Sequence, residues 1–343
     1  MEDISELAEK VREAFHIATE GRPGPVLIDV PKDVQNQKAE WVGGAAGRRG
    51  SGRPDRSHSR PPARAAAPTA EGVAAAAQLI DEAERPLLLV GHGVILAGAY
   101  VEVRTLAEKT GIPVITTLLG ISAFPESHPL HLGLAGMHGE VHVNRAIQQA
   151  DLLIGIGLRF DDRVTGNTAG FAPRARIIHV DLDPAEIGKN VAVELGITGD
   201  ARDVAIRLLD AVAPRDCEEW RAEIRSFQRG RREQYRGDMA PETILTAIRE
   251  VTGGRAMIVS DVGQHQMWVA KHYPYTRPNS HITSGGLGTM GFAVPAAMGV
   301  HFARPDHPVW AISGDGGFQM NMQEIATMVQ EGIPVKMAIF NNG

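Results

Sequence analysis

The residues best placed to do chemistry lie near the end of the chain: Asp315, set among Gly314, Gly316 and Gly317, and the pair Asn341-Asn342. Before the aspartate, Val309 to Ser313 is a short apolar run with the character of a buried strand. After it, Phe318 to Glu331 carries Phe318, Met322, Ile325, Ala326 and Val329 at helical spacing. Gly332 and Pro334 end that helix, and Val335 to Phe340 reads as a second apolar strand. A strand-helix-strand unit with one crossover makes the two strands parallel, so Asp315 and Asn342 leave the same edge of a sheet. If the strands are neighbours they lie about 5 Å apart. Two side-chain oxygens then converge on one hard cation while the N–H groups of the turn face an anion. The chemistry implied is a diphosphate held through magnesium. A carboxylate in a glycine-rich anion loop repels bare phosphate unless a cation lies between them. The Walker pattern is excluded, because no Gly-Lys-Ser/Thr follows. The alternative is an ordinary strand-to-helix turn, with Asp315 as its cap and Asn341-Asn342 as a loop.

Two further segments belong with this edge. Gly263-Gln264-His265-Gln266 follows the apolar run Ala256 to Ser260, which places Gln264 and His265, both possible donors, at the same strand-end crevice. In SGGLGTMGF, residues 284 to 292, closely spaced glycines let backbone approach a ligand, and Met290 supplies one soft apolar side chain in their midst. In isolation Met290 is more often a gap filler.

The elements that must position these residues follow a repeating pattern. Helical stretches at 72–84, 101–110, 140–150 and 202–212 alternate with apolar strands at 87–90, 114–117, 152–156 and 177–182, which argues for a parallel, doubly wound α/β sheet. Glycine-bearing turns follow these strands at Gly91-His92-Gly93, Thr117 to Gly120, Gly155 to Gly157 and Gly199-Asp200. In an open sheet such turns line one crevice where a nucleotide lies. None is a full G-x-G-x-x-G, so ligand-free turns remain an alternative. From 240 the alternation restarts with a helix at 241–251, the strand 256–260 and a helix at 292–303. A polar helix, 217–236, reads as a connector. Upstream, residues 1–38 hold an amphipathic helix, a GRPGP turn and a strand, Val26 to Val30, too little to fold alone.

Between these parts, residues 39–70 are rich in Arg, Gly, Ser, Pro and Ala and lack the apolar content of a folded element, so they read as a flexible linker. A basic nucleic-acid patch is the alternative there, but the run lacks aromatic interleaving.

Composition limits the function classes. The chain has 343 residues, 43% hydrophobic and 22% charged, as soluble globular proteins do. Its net charge of −6 gives no global attraction for nucleic acid or an anionic membrane. The one cysteine, Cys217, forms no internal disulfide and fits a reducing compartment. No apolar run approaches the ~20 residues of a membrane span. Cytoplasm is the default location, or an organelle if a transit segment precedes these residues.

The Gly-Asp-Gly and Asn-Asn spacing resembles the thiamine diphosphate signature of the pyruvate-type enzymes. Other blocks are similar to the acetolactate synthase catalytic-subunit family: GRPGPVLIDVPKDVQ at 21–35, AGMHGEVHVNRAI at 135–147, RFDDRVTG at 159–166, HVDLDPAEIGKN at 179–190, DVGQHQMW at 261–268 and SGGLGTMGFAVPAA at 284–297. The resemblance covers nearly the whole chain except residues 40–70, where a shifted reading frame in the source gene is a further explanation.

That resemblance implies three cofactors: thiamine diphosphate, Mg²⁺ and FAD. Asp315 and Asn342 would bind the metal. Gln264, His265, Gly288, Thr289, Met290, Asp315, Gly316, Gly317 and Asn342 would hold thiamine diphosphate, with Met290 keeping it bent. Arg22, His92, Thr117, Leu118, Gly136, Met137, His138, Gly139, Gly157, Leu158, Arg159, Phe160, Asp161, Asp181, Leu182, Asp200, Ala201, Gly285 and Gly286 would contact FAD. Two of these groups have plainer explanations: Asp181 supporting a helix cap at Asp183-Pro184, and Arg159 to Arg163 as a self-paired surface turn. Lys32 matches a residue near the family's substrate channel.

The implied reaction decarboxylates pyruvate and transfers its two-carbon unit to pyruvate or 2-oxobutyrate, in branched-chain amino acid biosynthesis, within a homodimer or tetramer and beside a small regulatory subunit. Alternatives are a glyoxylate carboligase or pyruvate oxidase type, or a non-catalytic cofactor-binding fragment. The expected organisation is residues 1–38 as the tail of a pyrimidine-binding domain, 71–213 as an FAD-contacting domain, 214–239 as a connector and 240–343 as a diphosphate-binding domain. The resemblance places the family's activating glutamate in sequence not represented here. The purified 343-residue chain is therefore expected to form no acetolactate by itself, and detectable product in a pyruvate assay would contradict this.

Overall fold

A computed structural model describes residues 2–39, 67–228 and 239–341. The chain divides into two compact units, Met1–Ala66 and Ala67–Gly343. In the first, α1 (Leu7–Thr19) is followed by the short α2 (Lys32–Gln35), with Ile4 N–H bonded to Gln37 Oε1 at 3.0 Å. The expected strand at Val26 to Val30 is absent. No strand lies among residues 2–39, so this apolar run has nothing to pair with, and Leu27 is exposed.

In the second unit the chain runs through α3 (Ala70–Glu82), β1 (Pro86–Val90), α4 (His92–Leu96), α5 (Tyr100–Thr110), β2 (Val114–Thr116), β3 (His131–Leu134), α6 (Val141–Gln149), β4 (Leu152–Ile156), α7 (Asp162–Thr165), β5 (Arg176–Asp181), β6 (Leu195–Thr198), α8 (Ala201–Ala211) and α9 (Glu218–Phe227). The strands form one parallel sheet in the order β3-β2-β1-β4-β5-β6. β1 and β4 are apolar throughout and buried at every position, as strands covered on both faces must be. Helix α3 buries Val73, Ala76, Ala77 and Ile80, a helical stripe, and starts where Thr69 Oγ1 accepts from Gly72 N–H. Val73 and Ile80 each contribute about 1.5–3 kcal/mol through burial, and the two alanines less.

The polar helix expected at 217–236 is shorter and less detached than a connector. It ends at Phe227, residues 229–238 lie outside the described ones, and Trp220 and Ile224 are buried in the core of the first sheet. Trp220 donates to Pro86 O at 3.0 Å, Arg221 donates to Gly111 O at 2.7 Å, and Arg215 donates to Ile80 O and Ala83 O. The arginines thus satisfy carbonyls at the ends of α3 and α5. Cys217 is buried, its Sγ 3.4 Å from Thr110 O.

Beyond residue 239 come α10 (Pro241–Val251), β7 (Met257–Ser260), α11 (Gln264–His272), β8 (His281–Thr283), α12 (Ala293–Ala303), β9 (Val309–Gly314), α13 (Asp315–Asn321), α14 (Glu324–Gln330) and β10 (Lys336–Phe340). The strands form a second parallel sheet ordered β10-β9-β7-β8. The helix expected at 318–331 is two helices. It starts three residues earlier, at Asp315, and breaks after Asn321 with three-residue hydrogen bonds from Ile325 to Met322 and from Ala326 to Gln323.

The sheets are joined through residues 121–134 and 273–281. Ile121 and Leu134 pack with Leu245, Ile258, Tyr273 and Tyr275. Glu126 N–H donates to Tyr275 O at 2.8 Å, and Tyr275 N–H donates to Glu126 Oε2 at 3.2 Å.

Burial pushes the Glu126 carboxyl up to about 8, against the hydrogen bond from Tyr275 and with some help from Glu140. A raised folded-state value means that the folded chain holds this proton where the unfolded chain has lost it. Stability from this group is full below about 4.5 and is lost as pH rises toward about 8. Glu126→Gln keeps an acceptor for Tyr275 and removes the titration. It is expected to stabilise the chain at pH 8 by roughly 1–3 kcal/mol and to bring no gain at pH 4.5. Thermal unfolding at both pH values checks this, and an equal effect at both would contradict it.

Candidate functional site

The parallel pairing of β9 and β10 decides where the chemistry-bearing residues go. Phe340 pairs with Gly314 in register, so Asp315 and Asn341 emerge side by side from one sheet edge. Asn342, the expected second metal ligand, lies outside the described residues. Asp315 does not act as the cap of its helix: Gly314 occupies the cap position, and no side-chain capping bond is made. The carboxylate is exposed, and the first amides of α13 have no partners within the helix.

A cavity of about 160 Å³ opens at this edge, lined by Val262, Gly263, Gln264, His265, Trp268, Met290, Gly314, Asp315, Gly316, Gly317 and Phe340. Most of the residues expected around a diphosphate are therefore together. Gly288 and Thr289 are exposed on the neighbouring loop, where Thr289 N–H bonds Ser284 Oγ at 3.0 Å. Two glycines are required by what lies behind them. A Cβ on Gly314 would sit 3.0 Å from His265 Nδ1, and one on Gly317 would sit 2.9 Å from Asp261 Cγ.

His265 is buried, and its Nε2 has no hydrogen-bond partner among the described residues. Burial pushes its pKa down, with Asp261 and Asp315 opposing, so the ring is a neutral donor or acceptor on the cavity wall. An unpaired buried nitrogen carries a desolvation cost that a polar ligand would relieve. No cluster of three or more His, Cys, Asp or Glu side chains that could hold a metal occurs among the described residues. The exposed Asp315 carboxylate in the cavity lining suits a magnesium ion, which takes one or two carboxylates and fills its remaining positions with phosphate oxygens and water.

Two residues essential to this arrangement escape sequence reasoning. Asp261, fully buried at the end of β7, accepts from Val262 N–H at 2.8 Å, Gly291 N–H at 2.9 Å, Ala293 N–H at 3.3 Å and Ser313 Oγ at 3.1 Å. Asn321 Nδ2 donates to Gly291 O at 2.7 Å. Asp261 opens the block DVGQHQMW, but apart from that resemblance its sequence signal is only an aspartate immediately after an apolar strand. For Asn321 there is none.

The first sheet presents a separate crevice. Its strand order reverses between β1 and β4, the switch point where open α/β sheets take nucleotides. Gly93 N–H donates to Gly157 O at 2.9 Å there, and a Cβ on Gly93 would meet Gly157 Cα at 2.6 Å. His92 opens α4, while Thr117 N–H bonds Val90 O at 3.0 Å and leads into Leu118. The turn Gly136 to Gly139 lies against the segment after β4: Met137 N–H donates to Arg163 O at 2.8 Å. Met137 is exposed, whereas Leu158 and Phe160 are buried in the core. Gly285 reaches this edge from the other sheet, since a Cβ there would be 2.7 Å from Leu119; its neighbour Gly286 is exposed with open space around it.

Several expected FAD residues have structural partners of their own. Arg159 pairs with Asp161 at 2.9 Å, although Asp161 Oδ1 is buried without a partner among the described residues. Asp181 accepts from Asp183 N–H, and Asp183 from Ala185 N–H, each at 2.9 Å; the segment beyond Leu182 is a turn and not the helix expected there. Asp200 caps α8 through Arg202 and Asp203 N–H, directly before Ala201. Arg22 and Lys32 are exposed residues of the other compact unit.

Two doubly wound parallel sheets, each with a glycine-lined edge, define a cofactor-binding α/β chain, and comparison with known proteins specifies it. Residues 73–208 match the thiamine pyrophosphate enzyme central domain, and residues 261–343 match the thiamine pyrophosphate enzyme C-terminal TPP binding domain. The acetolactate synthase large subunit of Corynebacterium glutamicum is 47% identical, over 99% of this chain and 54% of that protein. Acetolactate synthase of Mycobacterium leprae is 46% identical over 96% of this chain and 53% of its own length, and chloroplastic acetolactate synthase 1 of Oryza sativa is 42% identical over 99% and 53%. The chain belongs to the acetolactate synthase large-subunit family of thiamine diphosphate enzymes. It spans about half the length of the curated relatives it matches. No helix among the described residues is long and apolar enough to cross a membrane.

The glycine turn generates a direct test. Gly317→Ala must displace Asp261 and is expected to cost about 1–3 kcal/mol. Gly316→Ala meets only Met290 Cε, at 3.5 Å, and should stay within about 1 kcal/mol of the parent in the absence of ligand. Urea unfolding measures both, and equal stabilities for the two variants would contradict this packing.

Proposed function

We propose that this chain carries the cofactor-holding part of an acetolactate synthase active site. The observation that carries the reading is Asp315 in a glycine turn, beside Asn341 on one parallel-sheet edge, in a chain 47% identical to an acetolactate synthase large subunit. Asp315 would hold Mg²⁺ together with Asn342, and Gly316 and Gly317 would present amides to the diphosphate. Gln264 and His265 would add polar contacts from the cavity wall, Met290 would add an apolar one, and Gly288 and Thr289 would approach from the neighbouring loop. Thiamine diphosphate, when bound, supplies the electron sink that lets pyruvate lose CO₂ and pass its two-carbon unit to a second 2-oxo acid. The protein's share is orientation and exclusion of water: Met290, Trp268 and Phe340 give the cavity an apolar portion beside its polar turn.

FAD would lie along the switch-point crevice of the first sheet. The close approach of Gly93 to Gly157 and the unpaired Asp161 Oδ1 support that placement. Pyruvate and 2-oxobutyrate as substrates, assembly as a homodimer or tetramer, and a small regulatory subunit belong to the same proposal, resting on relatives named acetolactate synthase large subunit.

Calorimetric titration with thiamine diphosphate, with and without Mg²⁺, tests the reading. Binding should require Mg²⁺, and Asp315→Asn should weaken it by about 100-fold or more. Metal-independent binding, or full affinity in the variant, would overturn the assignment.

A further inference from the structure

Met290 lines the cavity beside the glycine turn, and its methyl would rest 3.5 Å from a Cβ on Gly316. Nothing about Met290 itself fixes that position: it is 44% exposed and sits in a loop of glycines. The next residue is held from both sides. Gly291 N–H donates to Asp261 Oδ1 at 2.9 Å, and Gly291 O accepts from Asn321 Nδ2 at 2.7 Å. Gln323 donates to Asn321 Oδ1 at 3.1 Å, which leaves Nδ2 turned toward Gly291. The backbone at Gly291 has φ +83°, and a Cβ there would lie 2.7 Å from Asn321 Nδ2, so only glycine fits the grip.

Both ends of this grip are tied to the turn that bears Asp315. Asp261 accepts from Ser313 Oγ, two residues before Asp315, and packs under Gly317. Asn321 is the last residue of α13, whose first residue is Asp315. The loop with the apolar side chain and the turn with the metal-ligating carboxylate are therefore locked to one another and not merely adjacent.

We propose that Asp261 and Asn321 are positioning residues that clamp Gly291 and thereby set the gap between the Met290 side chain and the Gly314–Gly317 turn. The gap selects a ligand with an aromatic or other flat group attached to its diphosphate over diphosphate alone. This rests on the cofactor reading above for the identity of the ligand, but the clamp itself is a property of the ligand-free chain.

The test compares two probes on the full chain in the presence of Mg²⁺: thiamine diphosphate and inorganic diphosphate. Asn321→Ala should weaken thiamine diphosphate by about 10-fold and change inorganic diphosphate by less than about 2-fold. Asn321→Asp, which keeps the shape and loses the donor, should reproduce the selective loss if Asn321→Ala fails to fold. Adding Asn321→Ala to Met290→Ala should bring no further loss, since both remove the same contact. Equal weakening of both probes, or additive losses, would overturn the clamp. Amide exchange over residues 284–293 without ligand provides a separate reading: the Gly291 amide should exchange faster in Asn321→Ala than in the parent, and unchanged exchange would also overturn it. If the parent chain shows a protected Gly291 amide yet binds no thiamine diphosphate, the cofactor reading fails and the selectivity claim with it, while the clamp stands.

Discussion

Parallel strand pairing is the constraint on which everything else here depends. Because β9 and β10 run the same way with Phe340 opposite Gly314, the residues that follow each strand leave from one edge. The same rule acts in the larger sheet, where β1 and β4 are neighbours and the turns after them, at Gly93 and Gly157, come into backbone contact. In both sheets the candidate ligand-facing residues follow strand ends, while central strands such as β1 and β4 are apolar and buried throughout.

The second requirement is that short loops at such an edge hold their shape without side chains of their own. Glycines allow close approach but supply no rigidity. Asp261 supplies it from below: one buried carboxylate accepts from backbone on three sides and from Ser313, tying β7, β9 and the 284–292 loop together. A buried charge with four donors is fully hydrogen-bonded, the condition under which its burial is tolerable.

Fold class and the main strands were legible in the sequence because buried parallel strands are unbroken apolar runs, as at Leu87 to Val90 and Leu152 to Ile156. Strands without that signature were not. β3 contains Gly133 at φ +120° with a register shift beside it, β6 contains Gly196, and β8 is three residues starting with a buried histidine. The apolar run at Val26 to Val30 misled in the opposite direction, since apolar character without a pairing partner makes no strand. At the site, Asp315, Gln264 and His265 were recognisable by type and spacing, and Met290 only through the family resemblance of residues 284–297. Asp261 and Asn321 were not, because their importance lies in which backbone groups they meet, 30 residues away in each case. The break in the helix after Asn321 was not legible either, because side-chain periodicity runs on through Met322 and Ile325.

The central claim is that Asp315 holds a divalent cation against a diphosphate at this sheet edge. A crystal structure of the chain with thiamine diphosphate and Mn²⁺ in place of Mg²⁺ tests it most directly, because the metal can be located by its anomalous scattering. The account predicts one strong peak about 2.0–2.2 Å from an Asp315 carboxylate oxygen, next to the bound diphosphate. A metal bound elsewhere, or a diphosphate seated in the turn with no metal at Asp315, would contradict it.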